Sequence, residues 1–115
     1  MINARLRFHG HGSLRYLYKN GSTVRSRLFT IKIISNPRRK NSRFTVVISK
    51  KVHKSAVGRN RMRRRIYEII RNAHPNFTQS CDMAVIVANS EVLNMSHDEL
   101  VSMLHELFKG AHILP

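Results

Sequence analysis

Lys50-Lys51-Val52-His53-Lys54-Ser55-Ala56-Val57-Gly58-Arg59-Asn60-Arg61-Met62-Arg63-Arg64-Arg65-Ile66-Tyr67-Glu68-Ile69-Ile70-Arg71 is the stretch that decides how this chain is read. Wound as a helix from Ser55 at about 100° per residue, it gathers Met62, Ile66, Ile69 and Ile70 into one apolar sector. Asn60, Arg61, Arg64, Arg65, Glu68 and Arg71 take the remaining arc. Arg59 and Arg63 flank the stripe, where their stems can pack while the guanidinium groups reach outward. Ser55 stands where an N-cap is needed, and Pro75 follows the far end. Gly58 costs a helix interior roughly 1 kcal/mol relative to alanine, so its presence points to close approach by a phosphate or another backbone.

Six arginines in this helix have Glu68 as their one acidic neighbour. Like charges one turn apart destabilise a helix, so a merely solvated face of this kind is a liability. A polyanion relieves it, because Arg and Lys neutralise phosphates and release their counterions.

Working outward, the charge is divided along the chain. Residues 1–67 hold 19 Lys and Arg and no acid, whereas residues 68–115 hold six acids against Arg71 and Lys109. A net charge of +15 distributed in this way predicts one strongly positive side. With 115 residues and 42% hydrophobic content, the chain is expected to form one domain with a modest core. No apolar run approaches the roughly 20 residues of a membrane span, and no secretory signal is evident. The single cysteine, Cys81, excludes an internal disulfide and offers no metal-ligand pair. These features predict a cytoplasmic protein without a membrane association or a metal site of its own.

Residues 1–12 read as a flexible basic arm, and 13–115 as the folded domain. Ser13–Gly21 predicts a short helix capped by Ser13 and closed by Gly21, with Leu14, Leu17 and Tyr18 on one face. Ser22–Arg25 and Leu28–Ile34 predict two strands. In the second, Phe29, Ile31 and Ile33 form an apolar face, and Leu28, Thr30, Lys32 and Ile34 a mixed one. Asn36–Asn41 is a basic turn. Arg43–Lys50 is a third strand, β-branched and alternating. Asp82–Ala88 lacks polar alternation and predicts a strand covered on both faces. Ser96-His97-Asp98-Glu99 has the pattern of a capping box opening a last helix, which Gly110 ends.

The resulting fold class is α+β, a two-layer α/β sandwich of order α-β-β-β-α-β-α with a four-stranded mixed sheet. One sheet face stays partly open, carrying Thr30, Lys32, Thr45 and Ser49, a composition suited to an extended nucleic-acid strand. A nuclease acting alone would need clustered carboxylates or a His pair. Glu68, Asp82, Glu91, Asp98, Glu99 and Glu106 form no such motif. A general RNA-binding protein fits the basicity equally well.

Ser49-Lys50-Lys51-Val52 followed by Ala56-Val57-Gly58-Arg59-Asn60-Arg61-Met62-Arg63-Arg64 resembles the signature of the bacterial ribonuclease P protein subunit. Lys19-Asn20-Gly21, Arg27-Leu28-Phe29, the Asp82–Ala88 strand and the closing Leu104–Lys109 segment extend the likeness to roughly residues 13–110. The resemblance implies an atypical left-handed β-α-β crossover through the basic helix. It implies a protein subunit that assists a catalytic RNA in removing the 5′ leader from precursor tRNA, with Mg²⁺ bound mainly by the RNA. No obligate protein partner is evident. Carried onto this chain, Arg59, Asn60, Arg61, Arg63, Arg64 and Arg65 contact the catalytic RNA, and Lys50, Lys51 and Lys54 extend that surface. Leu14, Tyr18, Phe29, Lys32 and Ser49 line a groove for the leader. The chain departs from the family at Leu14 and Lys32, where aromatics are usual, and at His53 and Thr45, where glycines are common. Lys32 offers a phosphate contact in place of stacking.

Overall fold

Strict alternation in Phe29–Ser35 sets the sheet. In the computed structural model, which describes residues 11–35 and 42–115 (main chain only for 11–13), this strand alternates fully buried and half-buried positions from Phe29 to Ile34. The elements are α1 (His11–Asn20), β1 (Ser22–Arg25), β2 (Phe29–Ser35), β3 (Arg43–Val47), α2 (Ala56–Ala73), β4 (Cys81–Val87) and α3 (His97–Gly110). The expected α+β order is therefore present. Helix α1 begins at His11, so the boundary expected after residue 12 falls inside it. Residues 1–10 and the basic turn 36–41 lie outside the described residues.

The four-stranded sheet has the order β1-β2-β4-β3. β2 is antiparallel to both β1 and β4, while β3 and β4 run parallel, joined through α2. Register sorts the side chains into two faces, because directly opposed residues project the same way. Ile31, Val85 and Val46 share one row, and Ile33, Met83 and Phe44 another. With Phe29 they meet Met62, Ile66, Ile69 and Ile70 of α2 and Leu100, Leu104 and Phe108 of α3 in one buried core. On the opposite face, Thr23, Lys32, Ala84 and Thr45 lie in register, as do Thr30, Ile86 and Val47. The central strand β4 is covered on both sides, as its unbroken apolar run predicts.

Helix α1 adds a third layer over part of that second face. It packs against β2 and β4. Leu17 and Ala84 are fully buried but stand outside the main core. Gly21 closes α1 by donating its N–H to the Leu17 carbonyl at 2.8 Å. A Cβ at Gly21 would meet that same oxygen at 2.6 Å and the Ile33 carbonyl at 3.0 Å, so only glycine lets the chain turn this tightly onto the sheet. Across the second face, the Arg43 guanidinium donates to both oxygens of Asp82, at 3.1 and 2.7 Å.

Two features were not foreseen. A 3₁₀ turn at Ser90–Asn94, capped by Asn89, connects β4 to α3. At the end of α3 the left-handed residue is His112 (φ 62°), not Gly110, which remains helical. The Ile113 N–H reaches back to the Phe108 carbonyl at 3.1 Å, which seats the Ile113 side chain in the core. The Ser96 cap is as expected, its hydroxyl accepting from the Glu99 N–H.

Tyr67 ties α2 to the sheet: its buried hydroxyl accepts from the Val46 N–H at 3.2 Å on edge strand β3. Tyr67→Phe should cost about 1–3 kcal/mol by orphaning that donor, measured as a lower urea midpoint with unchanged slope. Burial pushes the His74 imidazole below its ordinary range. The unfolded chain then takes the proton more readily than the folded one, so His74 favours the fold at neutral pH and loses that contribution as pH falls through the histidine range. His74→Gln should flatten the drop in urea midpoint between about pH 7 and pH 5.

Candidate nucleic-acid interface

The N-terminal half of α2 assembles the cationic surface. Ser55 caps the helix, its hydroxyl accepting from the Gly58 N–H at 3.2 Å. Met62, Ile66, Ile69 and Ile70 are at most 2% exposed, so the apolar stripe is seated as its period requires. Arg61, Arg64 and Asn60 project into solvent. With Val57 and Arg65 they line a concavity of about 480 Å³. Val57 is 78% exposed among these charges, a position the helical wheel did not single out.

Arg59, Arg63 and Arg65 are held by neutral oxygens. Arg59 donates to the His53 and Lys54 carbonyls at 2.8 and 2.9 Å, fastening the lysine-bearing turn to the helix. That turn is closed by the Ser49 carbonyl, which accepts from the Val52 and His53 N–H groups, and it leaves Lys50, Lys51 and Lys54 exposed. Arg63 donates to Asn60 Oδ1 at 2.7 Å. Among the described residues, the one arginine of α2 paired with a carboxylate is Arg71, whose guanidinium binds Glu68 and holds that carboxyl below its usual range.

Arg65 occupies a different setting from the one expected of an RNA ligand. Its guanidinium donates to the Val92 and Leu93 carbonyls, both at 3.2 Å, and to the Met95 carbonyl. Burial, followed by the nearby charge of Arg61, lowers its pKa from the ordinary value. It fastens α2 to the 3₁₀ turn Ser90–Asn94. Above Gly58 the nearest protein group is a side chain rather than another backbone. A Cβ there would lie 2.1 Å from His53 Nε2, so a side chain at this position would have to displace the imidazole.

Of the residues expected to line a groove, the second sheet face carries Lys32, and α1, which bears Leu14 and Tyr18, packs against the same sheet. Lys32 and Thr45 are half-buried on either side of Ala84. Leu14 is half-buried on α1, Tyr18 is 38% exposed, and Ser49 is exposed beyond the end of β3. Burial raises the Tyr18 hydroxyl above its ordinary pKa. Phe29 is not among them. It projects to the helix side with Ile31 and Ile33 and is completely buried. Strand alternation places it opposite Lys32, so the groove reading of Phe29 is corrected on geometry.

No group of three or more His, Cys, Asp or Glu among the described residues is placed to hold a metal ion. Cys81 is buried and its thiol is pushed up to about 12, which keeps it protonated and unreactive as a nucleophile at neutral pH. None of the described helices is long and apolar enough to cross a membrane.

The sequence matches the family described as Ribonuclease P over residues 2–112. The chain belongs to the ribonuclease P family. Among its relatives, the ribonuclease P protein component of Ligilactobacillus salivarius is 31% identical over 98 residues, covering 85% of each chain. That of Desulfosudis oleivorans is 37% identical over 92 residues, covering 80% of this chain and 74% of the relative. The fold is that of the Staphylococcus aureus RNase P protein, with a TM-score of 0.84 at 24% identity over 96% of this chain and 98% of that one. The Thermotoga maritima RNase P protein superposes with a TM-score of 0.74 at 22% identity, covering 84% and 89%. On the N-terminal half of α2, this ribonuclease P family chain exposes Arg61 and Arg64.

Replacing Arg61 and Arg64 together by Ala should reduce the log–log salt slope of RNA binding by about 1.4–1.8, at roughly 0.7–0.9 per phosphate contact. Arg65→Ala should leave that slope unchanged and lower the urea midpoint instead. Filter binding across a salt series, beside equilibrium unfolding, separates the two effects.

Proposed function

We propose that this chain is the protein subunit of a ribonucleoprotein endonuclease, binding a catalytic RNA through α2 and the 5′ leader of precursor tRNA along the second sheet face. The observation that carries the reading is the pair of outward guanidinium groups, Arg61 and Arg64, beside Asn60 on a helix otherwise fixed in the core. The exposed Lys50, Lys51 and Lys54 continue the cationic surface. These groups supply phosphate neutralisation and hydrogen-bond donors, the chemistry RNA binding needs.

The protein's own residues do not fit a hydrolytic metal centre. Glu68, Asp82 and Glu91 are paired with Arg71, Arg43 and Arg27, and Asp98, Glu99 and Glu106 lie on α3. We therefore assign the Mg²⁺ to the RNA partner, with no donor from this chain. The protein contributes binding and orientation. Arg59 holds the lysine turn against α2, and Arg65 fixes the helix so that Arg61 and Arg64 meet the RNA in one geometry. A cytoplasmic location accompanies this reading.

On the second face, Lys32 supplies a phosphate contact and Tyr18 a partly exposed ring for stacking. RNA-free protein should not cleave precursor tRNA, and should stimulate cleavage when its catalytic RNA is added. Robust turnover by the protein alone would overturn the assignment. Lys32→Ala should weaken binding of leader-bearing precursor about threefold to tenfold while leaving mature tRNA unaffected. Equal losses for both substrates would remove the leader from this face.

A further inference from the structure

One unexplained feature is a mainly apolar groove of about 700 Å³ between β1 and α3, on the opposite side of the sheet from Lys32. Val24, Met95, Met103 and Leu107 form its floor. Asp98, Glu99 and Glu106, three of the chain's six acids, stand exposed on its rim. Among the described residues none of the three is in an ion pair. In a chain of net charge +15, this is a local reversal of sign. Asp98 and Glu99 lie in the first turn of α3, where the helix dipole favours acids. Glu106 lies near the C-terminal end, where the dipole disfavours one, so helix electrostatics do not account for it.

β1 is an edge strand, and its outer side holds no strand among the described residues. It flanks the groove through Val24 and Arg25, with Ser26 following. We propose that this groove docks an extended cationic segment of a partner protein, added alongside β1. Every second residue of the segment faces the groove, and these groove-facing residues are in turn Leu, Ile or Val and Lys or Arg. Edge addition supplies main-chain hydrogen bonds, the methionines adapt to different apolar side chains, and the carboxylates select the positive charges. RNA phosphates are repelled from the same rim, so the groove is distinct in chemistry from the arginine face of α2.

The test uses the full chain free of RNA and a fluorescent ten-residue Val/Lys peptide in which Val and Lys take turns at every second position, with Thr between. Anisotropy should report saturable binding, with amide shifts confined to β1 and α3. A Val/Glu peptide, and a Val/Lys peptide interrupted by Pro, should each bind at least about tenfold more weakly. Glu106→Lys should weaken the Val/Lys peptide by about tenfold and leave binding of the catalytic RNA unchanged. Equal affinity for that variant, shifts outside β1 and α3, or no binding would overturn the proposal. So would self-association of the unliganded chain through the same residues, which makes a second copy the occupant. Binding that appears only after removal of residues 1–10 would assign the groove to the chain's own N-terminal segment and overturn it equally.

Discussion

Seating one apolar stripe of α2 against the sheet is the constraint from which the cationic surface follows. Each of Met62, Ile66, Ile69 and Ile70, buried from water, contributes about 1.5–3 kcal/mol. Repulsion between arginines one turn apart costs about 0.2–0.5 kcal/mol per pair. Even several such pairs are outweighed by the stripe, so the helix holds its phase with the charges outward. The folding energy of the core thus maintains a charge arrangement that an isolated helix would not tolerate.

The polar contacts then divide the arginines by task. Arg59 and Arg65 both bind main-chain carbonyls, one on the turn before α2 and the other on the segment before α3. Tyr67 adds a bond to β3. These contacts fix the helix to its neighbours from three directions. Because the acceptors are neutral, they leave the positive charge uncancelled, whereas carboxylate partners would have neutralised it. The surface remains strongly cationic and is also positionally defined.

Much of this was legible from residue spacing. The period of Met62, Ile66, Ile69 and Ile70 located both faces of α2, and the alternation from Phe29 to Ile34 separated the core side of β2 from the side carrying Lys32. The same alternation should have kept Phe29 out of the groove. Arg65 was not readable this way: a helical wheel ranks it as solvent-facing, while the carbonyls that hold it come from residues 27 to 30 positions further on. The Ser90–Asn94 turn that supplies two of them is too short to show a period. Helix α1 posed a related problem. Its apolar face was evident in Leu14, Leu17 and Tyr18, but nothing local states which side of the sheet it crosses.

The imidazole of His53 resting over Gly58 constrains how this chain can drift. A side chain acquired at position 58 collides with the ring as it now lies, so either the ring swings aside or position 53 has already become smaller. The reverse sequence of events meets no such obstacle, since shortening position 53 leaves only space. The two sites are therefore coupled: a change at 53 made first leaves 58 free to follow, whereas a change at 58 made first must push the ring out of its place.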